Sequence, residues 1–104
     1  MGVHNLSSKK EFEEAQSQSG VMVVDCFATW CGPCKVIAPK LVAFSEVYTN
    51  ARFYKVDVDE VPEVASLLEV RAMPTFVIFK DGTKAGTVVG ASPDALEKAI
   101  KEAL

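Results

Sequence analysis

The apolar residues of the chain fall into distinct rhythms. In VMVVDCFA (21–28) and TFVIFK (75–80) they run almost unbroken, which predicts strands covered on both faces. RFYKVDV (52–58) alternates in the manner of a strand, and KAGTVVG (84–90) follows an Asp81-Gly82 dipeptide that signals a hairpin. Elsewhere the spacing is helical. SKKEFEEAQ (8–16) predicts a short helix that Ser8 can cap, with Glu11 completing a capping box. Ile37, Leu41, Phe44 and Tyr48 mark one face of a helix starting near Pro33, with a kink expected at Pro39. DEVPEVASLLEV (59–70) predicts a helix capped by Asp59, with Val64, Leu67 and Leu68 turned inward. Ser92 and Pro93 open a last helix with Leu96, Ala99, Ile100 and Ala103 on one face.

Helix and strand alternate in the first half, and a hairpin and helix close the second. The expectation is an α/β layered fold with a mixed sheet, parallel in part and antiparallel at one edge. A length of 104 residues fits one domain over 1–104. Composition adds exclusions. The net charge of −3 with mixed signs argues against nucleic acid as a partner, since phosphate binding wants clustered cations. No apolar run nears the ~20 residues of a membrane span, and MGVHNLSSKK has no hydrophobic signal core. Leu6 breaks the myristoylation pattern, and the sequon Asn5-Leu6-Ser7 reads as chance without a secretion signal. The expected location is cytoplasmic and reducing, where two close cysteines are more often catalytic or metal-binding than a structural staple.

The candidate chemistry lies in ATWCGPCK (28–35), at the junction of a predicted strand and helix. Cys31 falls at or just before the first helical turn, where free N–H groups and the helix dipole favour thiolate, the nucleophilic form. Cys34, one turn on, lies on the same side and can reach it. Cys31 can thus attack a disulfide and Cys34 can resolve the mixed disulfide. Gly32 lets a substrate chain approach, and Pro33 stiffens the ring. Half of a zinc site is the competing reading, but its extra ligands would have to come from Cys26, in a strand, and a lone His4. Asp25 is out of place among Val23, Val24, Cys26 and Phe27, and burial should raise its pKa. It is either a satisfied core acid or the acceptor for the Cys34 proton. Cys26 points to the opposite face and reads as a small buried hydrophobe.

WCGPC (30–34), flanked by VVD (23–25), ATW (28–30) and KVIAP (35–39), resembles the thioredoxin family, in particular its small cytosolic eukaryotic members. FYKVDVDE (53–60), VRAMPTFVIFKDG (70–82) and VVGA (88–91) extend the likeness over the whole chain. The resemblance implies a five-stranded mixed sheet flanked by four helices, with a redox-active disulfide between Cys31 and Cys34. It implies general protein-disulfide reduction, recharged by an NADPH-dependent thioredoxin reductase, with no cofactor of its own. Clients of the family include peroxiredoxins, methionine sulfoxide reductases and ribonucleotide reductase, and a monomer is expected. Asp25 takes the family's proton-acceptor role, with Lys55 as its neighbouring lysine. Pro74 takes the place of the family's cis proline, presenting the Met73 backbone to an extended client. Trp30, Gly32, Pro33, Met73, Pro74, Val89, Gly90 and Ala91 would form an apolar rim around Cys31. Cys26 departs from the family, which often has an aromatic residue there. A disulfide isomerase domain or a redox-sensitive binding subunit are the alternatives. Isomerase domains usually carry histidine where Pro33 stands, and glutaredoxins usually show Cys-Pro-Tyr-Cys.

Overall fold

A computed structural model describes residues 2–104. The elements run β1 (Val3–Asn5), α1 (Lys9–Gln16), β2 (Val21–Phe27), α2 (Gly32–Val47), β3 (Ala51–Asp57), α3 (Pro62–Leu67), β4 (Thr75–Lys80), β5 (Thr83–Val89) and α4 (Pro93–Ala103). The five strands form one sheet in the order β1-β3-β2-β4-β5. β2 and β3 are parallel, as are β1 and β3, while β4 and β5 are antiparallel. This is the mixed α/β design that the apolar rhythm predicts.

The near-continuous apolar run of β2 has the expected cause: both of its faces are covered. Val21 and Val23 pack beneath Ile37, Leu41 and Phe44 of α2 and Leu96 and Ile100 of α4. Met22, Val24 and Cys26 pack on the other face, against Phe12 of α1 and Val64 of α3. Asp25 alternates onto the α2 side and Cys26 onto the α1–α3 side.

Local signals set several boundaries. The Ser8 hydroxyl accepts from the Glu11 N–H at 3.1 Å, while the Glu11 carboxylate reaches back to the Ser7 N–H at 2.8 Å rather than to that of Ser8. Ser92 caps α4 by accepting from the Ala95 N–H. Asp81 and Gly82 both have positive φ, 54° and 83°, as a type I′ hairpin turn requires. α2 continues through Pro39, whose missing N–H leaves the Lys35 carbonyl without a helical partner.

One strand carries no signal in the sequence, and three expectations about the third helix need correction. β1 pairs with β3 over only three residues, two of them exposed, too short and too polar for its apolar pattern to stand out. The helix expected over 59–70 is limited to Pro62–Leu67. Val61, not Asp59, is its N-cap, and no side chain bonds there, because Asp57 Oδ1 instead accepts the N–H of Asp59 at 2.9 Å in a tight turn. In that helix Val64 is buried, but Leu67 is 53% exposed. The short helix turns one narrow face to the sheet, and Leu67 lies outside it.

Candidate active site

The site is built where β2 ends. The parallel β2 and β3 both finish on this edge, and the chain leaves Phe27 through a turn in which the Cys31 N–H bonds the Ala28 carbonyl at 3.1 Å. Cys31 is then the N-cap of α2. Its backbone is extended (φ −86°, ψ 108°), and its sulfur accepts from the Cys34 N–H at 3.2 Å. Cap geometry offers an orphan helical donor to whatever acceptor stands at this position, and here the acceptor is sulfur. Gly32 and Pro33 fill the first turn, and Cys34 follows with its sulfur joined to that of Cys31 in a disulfide, the Cα atoms 5.3 Å apart. Both cysteines are largely buried, at 5% and 4% exposure, and pack with Ala28 against Phe27, Val58 and Met73.

Asp25 stands directly behind them. It is 3% exposed, and its Oδ1 has no hydrogen-bond partner among the described residues. Burial pushes its carboxyl up to about 7, while the Lys55 ammonium pulls it part of the way back. Lys55 is the β3 residue in register with Asp25, and its Nζ lies 5.9 Å from the centre of the Phe27 ring. A cavity of about 270 Å³ opens here, lined among others by Asp25, Phe27, Cys34, Lys35 and Lys55. Asp25 and Cys34 thus line one cavity, large enough for a bridging water. Cys31 does not line it.

The other expected residues surround the dithiol. The indole of Trp30 is 67% exposed and is held by its N–H, which donates to Asp59 at 2.9 Å. The Met73–Pro74 bond is cis, Met73 is half-buried against the dithiol, and Pro74 is buried. The Pro74 carbonyl accepts from the Gly90 N–H at 2.9 Å, which ties the proline turn to the end of β5. Gly90 needs to be glycine for its φ of 101°. Val89 is 64% exposed, so it does not serve strand-end packing, whereas Ala91 is half-buried against the core under α2 and α4. A Cβ at Gly32, between the two cysteines, would meet nothing within 4 Å.

Asp59 is the site residue that sequence reasoning misses, having been assigned to a helix cap. The signal was available: an exposed indole N–H beside a reactive pair wants an acceptor, and the chain after β3 emerges next to the chain after β2. Cys26 lies on the far face, fully buried and free, and burial, with the neighbouring Asp25 charge second, pushes its thiol up to about 12. His4 is exposed on β1 beside Tyr54. Among the described residues no group of three or more potential metal ligands is gathered, so the four-ligand arrangement of the zinc reading is not assembled.

A dithiol at a helix N-terminus, closing and opening as a disulfide on the edge of a mixed sheet, defines a dithiol–disulfide exchange protein. Comparison with known proteins agrees. The thioredoxin family model matches residues 3–102. "Thioredoxin Asp f 29" of Aspergillus fumigatus is 56% identical over 102 residues, covering 95% of this chain and 93% of the relative. The oxidised crystal structure of mitochondrial thioredoxin 3 from Saccharomyces cerevisiae superposes with a TM-score of 0.93 at 47% identity, covering 96% of this chain and 94% of that one. A structure described as addressing thiol resolution in a yeast mitochondrial 1-Cys peroxiredoxin via glutathione and thioredoxin systems matches equally well, with a TM-score of 0.93 at 46% identity over 96% and 94% of the two chains. The chain belongs to the thioredoxin family. It is a protein dithiol–disulfide oxidoreductase with Cys31 and Cys34 as its redox pair.

Proposed function

We propose that this chain acts as one thioredoxin domain, a monomer in the cytoplasm, which reduces client disulfides and is recharged by an NADPH-dependent thioredoxin reductase. Cys31 is the attacking sulfur. As a thiolate it is stabilised by the Cys34 N–H and the amino end of α2. It attacks one sulfur of a client disulfide, forming a mixed disulfide and releasing the first client thiolate, which takes a proton from water. Cys34 then gives its proton to Asp25, directly or through one water in the shared cavity. The Cys34 thiolate attacks Cys31 Sγ, releases the second client thiolate and closes the Cys31–Cys34 disulfide. Two electrons pass to the client in all, and the reductase returns them from NADPH.

The observation that carries this reading is that the buried Asp25, one of whose carboxyl oxygens has no partner among the described residues, lines the same cavity as Cys34. Lys55 moderates the cost of charging it. Trp30, Gly32, Pro33, Met73, Pro74, Val89, Gly90 and Ala91 form the client-facing rim. The Met73 N–H and C=O make no hydrogen bonds among the described residues, and an extended client segment can pair with them as a short strand. Peroxiredoxins are proposed among the clients, with methionine sulfoxide reductases and ribonucleotide reductase.

The test is NADPH oxidation in a mixture of this protein, a thioredoxin reductase and insulin. NADPH consumption that requires all three components is expected. No consumption above the reductase blank, with the protein folded, would contradict the reading.

A further inference from the structure

Beside the rim lies a second groove of about 320 Å³, between the segment after α3 and the exposed edge strand β5. Ala72, Thr75 and Val89 form its near end, so it continues directly from the Met73–Pro74 turn. Its charged lining is Glu69, Arg71 and Lys84. Lys84 pairs with Phe79 and Val89 with Thr75, so about four residues of strand, roughly 13 Å, separate Lys84 from the rim, while Arg71 directly precedes Ala72 at the near end. The cations are unengaged. Arg52 spends its guanidinium on the carbonyls of Ala15, Gln18 and Ser19, whereas Arg71 and Lys84 make no such bonds among the described residues. Glu69 leaves the groove with a net charge of +1 on a chain whose total is −3. On the opposite flank of the rim Trp30 is bound to Asp59, with Glu60 next in sequence, so the two flanks carry opposite charge.

We propose that the groove lined by Arg71 and Lys84 is a specificity subsite for the client chain, which takes acidic side chains in the segment flanking the attacked cysteine. This rests on the rim being the client-facing surface. The groove's continuity with that rim and its sign suit a flanking segment with Asp or Glu. Opposite charges at such a margin act mainly on encounter and on the choice among partners. Neither cation touches the reacting sulfurs; both act on the client's flanking segment and so on its selection.

The experiment compares three disulfide peptides at low ionic strength: a neutral one, one with two acidic residues before its first cysteine, and one with two acidic residues after its last. One acidic peptide is expected to be reduced about three- to five-fold faster than the neutral one, the size that two partly exposed charge pairs provide. The double variant Arg71→Ala/Lys84→Ala should lose this advantage while reducing the neutral peptide at the parental rate. The charge reversal Arg71→Glu/Lys84→Glu should disfavour the same acidic peptide, and raised salt should level all three. The proposal is overturned if neither acidic peptide outpaces the neutral one, or if the advantage survives in both variants. Failure of the parent to reduce even the neutral peptide would instead strike at the oxidoreductase reading itself.

Discussion

Asp25 shows how far one side chain departs from what its location favours. Its carboxyl titrates near 3.8 in the unfolded chain and near 7 when folded, because burial penalises its charge. The folded state therefore holds an extra proton between these values. The stability contributed by the neutral form is complete below about pH 4 and is lost as pH rises through 7. Asp25→Asn cannot ionise. It should be more stable than the parent at pH 8 by up to about 4 kcal/mol, with little difference at pH 4. Urea unfolding at the two pH values checks this, and a variant no more stable at pH 8 contradicts it. In single-turnover reduction the same variant should slow decay of the mixed disulfide by about ten-fold or more while leaving its formation nearly unchanged. A variant that slows formation equally would remove Asp25 from the Cys34 step. Cys26 carries the opposite expectation. Fully buried and with its thiol pushed to about 12, it should resist iodoacetamide in the reduced native protein while Cys31 is alkylated. Peptide mapping reads this, and prompt labelling of Cys26 would contradict its packing.

Among the elements, the ones legible in the sequence are those whose stability is local or whose pattern is long. The buried run of β2, the capped α1 and α4 and the Asp81-Gly82 turn all carry their own signal. β1 and α3 do not, because three and six residues hold too few apolar positions to fix a period and are stabilised by what they pack on. Asp59 reads as a helix cap because an Asp three residues before Pro62 looks like one; its carboxylate instead accepts the Trp30 indole N–H, a contact set by the tertiary fold. The redox pair and its acid were legible because each breaks a rule of ordinary packing. The rim was legible only through family likeness, since Val89 and Ala91 carry no chemistry of their own. The hairpin offers an element-scale test. A Cβ at Gly82 would sit 3.2 Å from the Gln16 carbonyl oxygen, at a φ of 83° that side chains rarely adopt. Gly82→Ala should therefore destabilise the fold by about 1–2 kcal/mol. Thermal unfolding measures the loss, and an unchanged midpoint would mean that the turn relaxes freely.

For the molecule as a whole, the sheet gathers the site. Parallel β2 and β3 end together, and the segments that follow them bring Trp30, the dithiol and Asp59 to one edge. Antiparallel β4 and β5 bring Met73, Pro74 and Val89–Ala91 to that same edge from the other side. Burial between the helix layers raises the Asp25 carboxyl, which is what turns an ordinary carboxyl into an acceptor matched to a thiol near neutral pH. The central claim is a division of labour, in which Cys31 at the helix cap attacks and Cys34 beside the Asp25 cavity resolves. Its most direct measurement is mass spectrometry under non-reducing conditions after brief exposure of reduced Cys34→Ser and Cys31→Ser variants to insulin. Accumulation of a reducible adduct through Cys31 in the first variant, with almost none in the second, is the predicted result. An adduct that forms as fast through Cys34 in the second variant would contradict the account.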